Sequence, residues 1–198
     1  MPRTASASQG IRDARRATIL GAARTVFARN GLAATRIGDI TAQAGVSQGL
    51  FYHYFPDKEA LFTTIVEEAL RETATLTASA RQSSGPAWER LQRLCSQMLA
   101  GVIAYPDYPL VIVQAFTSAA VPAEARAAID AYGRQTFGDL VALVRDGQTD
   151  GTVVAGDPVE LAIAFTSCIQ GVALSRFQAA GPEALLPGAE TILRLLRA

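Results

Sequence analysis

The stretch from Ile37 to Lys58, IGDITAQAGVSQGLFYHYFPDK, leaves the backbone few choices. Ile37, Ile40 and Ala44 fall on one helical face and stop at Gly45, the residue type that takes positive φ at a helix end without a steric cost. Ser47 can cap a second short helix. Pro56 ends it, because proline disfavours helical backbone in the residue before it. Asp57 then caps a long helix whose Leu61, Phe62, Ile65, Val66, Ala69 and Leu70 form one stripe. Two short helices joined by Ala-Gly-Val make a helix-turn-helix. Ile40, Ala44, Val46 and Phe51 supply the apolar lock at the crossing, and Thr41 stands where a smaller alanine is the natural choice.

Helical periodicity governs the rest of the chain, and no alternating apolar pattern suggests a strand. Ile11, Ile19, Ala22, Ala23, Val26 and Phe27 form a first helical face, closed by Asn30–Gly31. The long helix fades in SARQSSGPAW, and further helical blocks follow at about 87–104, 108–119, 122–147, 157–178 and 183–197. The segment GTVV between two of them reads as a loop, framed by glycines and a proline. The expectation is an all-α protein of about nine helices: a loose basic arm over 1–10, a three-helix head over 11–57, a connecting helix over 58–82, and a larger helical domain over 83–198. At 198 residues the chain can bury a core without metals or disulfides.

Formal net charge is zero, but its distribution is uneven. Residues 1–58 carry Arg3, Arg12, Arg15, Arg16, Arg24, Arg29, Arg36 and Lys58 against Asp13, Asp39 and Asp57, an excess of five positive charges that the remainder reverses. A basic head on an acidic body is expected where only the head meets nucleic acid or an anionic surface. Cys95 and Cys168 lie far apart in apolar runs, which reads as free thiols in a reducing, cytoplasmic setting. No apolar run approaches the roughly 20 residues of a membrane span, and the first residues lack the apolar core of a signal peptide, so no membrane partner is expected. There is no His/Cys/carboxylate cluster, no GxGxxG and no phosphate-binding P-loop. Neither an enzyme nor a metal or cofactor site is expected, and His53, the single histidine, has no companion ligands.

The longer run ATRIGDITAQAGVSQGLFYHYFPDKEALF resembles the DNA-binding signature of the tetracycline-repressor (TetR/AcrR) regulator family, over about residues 12–70. The resemblance implies a homodimer that sets one recognition helix of each subunit in the major groove of a palindromic operator. It also implies a repressor released by a small, mostly apolar effector; an all-helical interaction module or a helical enzyme without DNA binding is the alternative. The helix from Ser47 divides by geometry. Phe51 and Phe55 share a face and should be core, whereas Gln48 and Tyr52 share another, with Gly49 and His53 beside them. Gln48 can pair with a base edge, most naturally adenine. Gly49 removes bulk where the helix nears the duplex, and Leu50 either meets a thymine methyl or packs. Tyr52 and Tyr54 can bond phosphates, as family members do at these positions, and His53 can meet a base or a phosphate. Lys58, at a helix start that favours anions, reads as a phosphate clamp, and Thr35 and Arg36 should face phosphates. Gly38 departs from the family, which often carries a long polar side chain there, so base reading falls to Gln48, Leu50 and His53.

By the same resemblance the last two helical blocks would form a four-helix bundle between subunits. Leu161, Phe165, Cys168, Val172, Leu186, Ile192, Leu193 and Leu196 would supply its apolar surface, and Gly171 the close approach. The family also usually holds an effector inside the larger domain. Candidates are the polar Gln97, Gln114, Thr117 and Gln170, with Trp88, Met98, Tyr105, Phe116 and Phe165 as apolar walls.

Overall fold

The computed structural model describes residues 5–178 and 186–198. Among them are nine helices and no strand: α1 (Ala5–Ala34), α2 (Ile37–Ala44), α3 (Gln48–Tyr54), α4 (Lys58–Gln82), α5 (Ala87–Ala104), α6 (Asp107–Thr117), α7 (Ala123–Thr149), α8 (Pro158–Gln178) and α9 (Ala189–Leu193). α1 is broken at Gly31, where φ is 76° and ψ 163°, so Asn30–Gly31 acts as the stop the sequence suggested. α1 already begins at Ala5; the expected loose arm is therefore helical from residue 5, and residues 1–4, Arg3 included, lie outside the described residues.

The short helices α2 and α3 are held by caps and by burial. Gly45 closes α2 at φ 65°, and the Asp39 carboxylate accepts from the Arg36 N–H at its start, 2.9 Å. The Ser47 hydroxyl caps α3 by accepting from Leu50 N–H at 3.2 Å, and Asp57 caps α4 by accepting from Ala60 N–H at 2.7 Å. Thr41 is buried at the α2–α3 crossing, and its hydroxyl donates to Gly38 O at 3.1 Å. A residue larger than alanine fits because that hydrogen bond satisfies its polar atom.

Two apolar clusters fill the interior. The first joins Ile19, Ala23, Phe27, Ile40, Phe51, Phe55, Leu61, Phe62, Ile65 and Val66 of the head, with Phe27 and Phe62 edge to face at 5.3 Å. It also takes in Val111 and Ala115 of α6 and Ala125 and Ile129 of α7, so the head's core draws on residues far beyond the boundary expected near 83. The second cluster holds Leu91, Leu94, Cys95, Leu140, Leu143, Val144, Phe165, Leu193 and Leu196. α4 spans the two, with Leu61–Val66 in one and Ala80 in the other.

The C-terminal segment departs from expectation. Where a helix over about 183–197 was anticipated, residues 183–185 lie outside the described residues, α9 has five residues, and the chain then turns back. Arg197 pairs with Val153 in an isolated antiparallel bridge, Val154 N–H donates to Leu196 O at 2.9 Å, and the Arg197 guanidinium lies over the Trp88 ring. The anticipated GTVV loop is therefore partly extended. Gly147 faces it so closely that a Cβ would overlap the Val153 side chain. α8 also corrects the sequence reading, since by length and composition it is apolar enough to cross a membrane. In this fold one side of it seats Ala162, Phe165, Val172 and Ala173 in the second core.

Candidate nucleic-acid interface and ligand cavity

α3 presents the divided surface that helical geometry dictates. Phe51 and Phe55 are 0% and 4% exposed, whereas Tyr52 is 54% exposed. Gln48, Gly49 and His53 are exposed beside it, and Leu50 is half-buried. Tyr54 is half-buried, packs on the head's core, and receives the His53 ring edge to face at 5.1 Å. Ser47 is exposed but its hydroxyl is committed to the helix cap. The Gln48 amide nitrogen lies 3.8 Å from where a Cβ on Gly38 would be. Gly38 thus leaves α2 open beneath Gln48, and the amide is free at the tip of the exposed face.

Two residues expected to meet phosphates are occupied elsewhere. Thr35 is 1% exposed, and its hydroxyl donates to Gly31 O at 2.6 Å. Lys58 turns its ammonium onto three carbonyls at the end of α1: Leu32 O at 2.9 Å, Ala33 O at 3.3 Å and Thr35 O at 2.8 Å. Those carbonyls are orphaned because the helix ends there, and one ammonium satisfies all three. Lys58 is therefore a cap closing the α1–α2 turn, in place of the expected clamp. Arg36 remains exposed at the start of α2. Arg16 is tied inward, 3.2 Å from the Glu68 carboxylate on α4 and over the Phe55 ring.

A cavity of about 560 Å³ opens between α4, α5, α6 and α8, within the usual range of small-molecule sites. Gln97, Met98, Tyr105, Phe116 and Gln170 line it as expected. Four other candidates do not. Trp88 is covered by Arg197, and Phe165 is wholly buried in the second core. The Thr117 hydroxyl donates back to Val113 O, and Gln114 points away, its amide donating to Ala28 O of α1 at 3.2 Å. The sequence reading missed the wall from α4, namely Ala69, Glu72, Thr73 and Leu76. Its i, i+3, i+4, i+7 spacing was visible as a continuation of the apolar stripe, one face further round.

α6 touches both regions. Tyr108, Ile112, Val113 and Phe116 line the cavity, while Asp107 accepts from the Thr25 hydroxyl of α1 at 2.7 Å and Gln114 reaches Ala28. Arg24 of α1 lays its guanidinium over Tyr105 and Tyr108, at 5.2 and 4.5 Å from the ring centroids.

The expected dimer surface is rearranged as well. Phe165 and Val172 face the chain's own core, with Leu161 and Cys168 packed against it. Ile192, Leu193 and Leu196 are buried and Leu186 packs beside them, so of this apolar set only the half-buried Leu161, Cys168 and Leu186 keep any surface. Gly171 is exposed. The free apolar stripe of α8 is the next face round: Val159, Ile163, Leu174 and Phe177, between 37% and 51% exposed. The thiols differ in setting too: Cys95 is buried, and burial, then the nearby Cys168, push it up to about 11.

A capped, three-helix head with one exposed face on α3, joined by α4 to a helical body, is a helix-turn-helix architecture. The family of bacterial regulatory proteins described as tetR matches residues 19–65. Over 92 residues the chain is 35% identical to the uncharacterized HTH-type transcriptional regulator YfiR of Bacillus subtilis, covering 46% of this chain and 44% of that one. A tetR-family regulatory protein from Rhodococcus RHA1 has the same fold, with a TM-score of 0.75, 23% identity, and 93% and 97% of the two chains covered. A gamma-butyrolactone receptor described as ArpA-like gives a TM-score of 0.69 at 25% identity, over 83% of this chain and 81% of that one. Residues 19–65 are thus similar to the tetR family of bacterial regulatory proteins, and the described fold is the one found in solved TetR-family regulators. The chain spans about half or less of the length of the curated relatives it matches.

Proposed function

We propose that this protein is a ligand-responsive transcriptional repressor that binds a palindromic operator as a homodimer in the cytoplasm and leaves it when a small, mostly apolar effector enters the cavity. The observation that carries this reading is the double role of α4 and α6, each of which packs in the head's core and lines the cavity. Gln48, Leu50 and His53 read bases, while Arg36, Tyr52 and Tyr54 meet phosphates. The free apolar stripe of α8 seats the second copy, because one seven-residue recognition helix needs a twin on the neighbouring half-site. An effector that fits one dimer geometry better shifts the spacing of the recognition helices. The spacing tolerates little error, since half-sites lie about 34–36 Å apart or at multiples of that. That one neighbour of this fold is a gamma-butyrolactone receptor supports a small ligand here.

The test is fluorescence anisotropy with DNA from upstream of the protein's own gene, alongside sedimentation at micromolar concentration. Saturable binding by a dimer, weakened by a cavity ligand, is expected. Gly101→Trp, which fills the cavity from a position with open space around it, should keep DNA binding and lose the ligand response. A monomer that shows no preference for any upstream sequence would remove the reading.

A further inference from the structure

Among the described residues, the cavity has one carboxylate in its wall, Glu72, and no basic residue. Glu72, on α4, shares the lining with Leu76, Met98, Val102 and Ile169, and it is exposed. Its carboxylate makes no hydrogen bond or ion pair with any other described residue. Its neighbours on the same face of α4 are Ala69, Thr73 and Leu76, none of which can neutralise it. The Thr73 hydroxyl is already used, donating to Ala69 O at 3.0 Å. Hydrated but unpaired, this carboxylate gives the cavity a local negative charge that favours a bound cation over an anion.

The aromatic lining points the same way. Tyr105, Tyr108 and Phe116 border the cavity from the α5–α6 side, and ring faces attract cations through their quadrupole. Tyr105 and Tyr108 already hold one cation, the Arg24 guanidinium. Arg24 does not line the cavity, and Asp107, on the Thr25 hydroxyl, brings a carboxylate to the same corner. The other polar residues of the described lining, Gln97, Gln170 and Ser167, are neutral. A carboxylate, three rings and a mostly apolar wall with a few neutral polar groups fit a bulky apolar body with a single positive charge. They disfavour an anion, which would meet Glu72 and find no basic residue in the lining.

We infer that the cavity selects lipophilic monocations, with Glu72 as the counter-charge and Tyr105, Tyr108 and Phe116 as the aromatic walls. This rests on the cavity being the effector site. The probes are tetraphenylphosphonium and tetraphenylborate, ions of the same shape and opposite charge, scored by displacement of the neutral dye N-phenyl-1-naphthylamine from the full chain. In the wild type, tetraphenylphosphonium should displace the dye at roughly tenfold lower concentration than tetraphenylborate, the combined scale of one partly screened ion pair and ring contacts. Glu72→Gln should erase most of that preference, with both ions scored against the variant's own dye affinity, and Glu72→Lys should reverse it. Equal displacement by the two ions, or a preference unchanged in Glu72→Gln, would overturn the charge assignment and leave the cavity reading standing. Failure of the dye to bind at all, or dye binding that Gly101→Trp does not reduce, would overturn the cavity reading and this inference with it.

Discussion

Replacing Lys58 with methionine separates a structural cap from a phosphate clamp. Methionine keeps most of the aliphatic stem and removes the ammonium, leaving Leu32 O, Ala33 O and Thr35 O without their shared donor. A hydrogen bond to a charged group contributes about 1.5–3 kcal/mol net. Three acceptors share one ammonium here, and the site is half-buried, so water can replace part of what is lost. A total loss of about 2–3 kcal/mol follows, near the upper end for one such bond and well below three. For a chain of this size that lowers the melting temperature by roughly 4–12 °C. The assays are thermal unfolding followed by circular dichroism and operator titration across a salt series. A cap predicts a lower melting temperature and an unchanged slope of affinity against salt. A clamp predicts unchanged stability and a slope shallower by about one unit, from one lost phosphate contact. A variant that melts with the wild type and loses salt dependence would refute the reasoning.

Gln48→Ala should relax base preference at one operator position by roughly 1–3 kcal/mol without changing the melting temperature, measured by binding to single-base operator variants. Gly147→Ala should destabilise the chain by about 1–3 kcal/mol through overlap with Val153, read as a lower denaturation midpoint in urea. Cys95 carries a folded pKa of about 11 against an ordinary 9.0, so its contribution is complete below pH 9 and lost as pH rises towards 11, where only the unfolded chain gives up the proton. Unfolding midpoints should fall across that window in the wild type, and less steeply in Cys95→Ala, whatever the variant's stability at pH 7.

What was legible in the sequence was what local geometry decides. The split of the aromatic run into buried Phe51 and Phe55 and exposed Tyr52 follows from 3.6-residue periodicity alone. The caps at Ser47 and Asp57 and the stops at Gly31 and Gly45 are read from residue type and neighbours within four positions. What was not legible depended on partners remote in sequence. Lys58 finds its carbonyls 23 to 26 residues away and Gln114 finds Ala28 at 86, and no local pattern reports such distances. The α8 faces failed differently. An almost wholly apolar helix gives no periodic signal, so Leu161–Phe165–Cys168–Val172 and Val159–Ile163–Leu174 were equally good stripes until α5 and α7 selected one to cover.

Gln114 shows what that blindness concealed. As a polar residue in an apolar helix it read as a ligand contact, yet it fastens the far side of the same helix that lines the cavity. With Asp107 on Thr25 and Arg24 on Tyr105 and Tyr108, it ties α6 to α1 at three points. On the proposed function these links set how hard an effector must work. Driving a two-state head from 99:1 to 1:99 takes about 5.5 kcal/mol of differential binding. A neutral hydrogen bond contributes about 1 kcal/mol, a bond to a carboxylate about 1.5–3, and stacked guanidinium contacts about 0.5–2. No single link can carry the whole switch, but the three together approach it. The cavity therefore communicates with the head through α6 as a unit, and weakening one link should blunt the response to an effector without abolishing it.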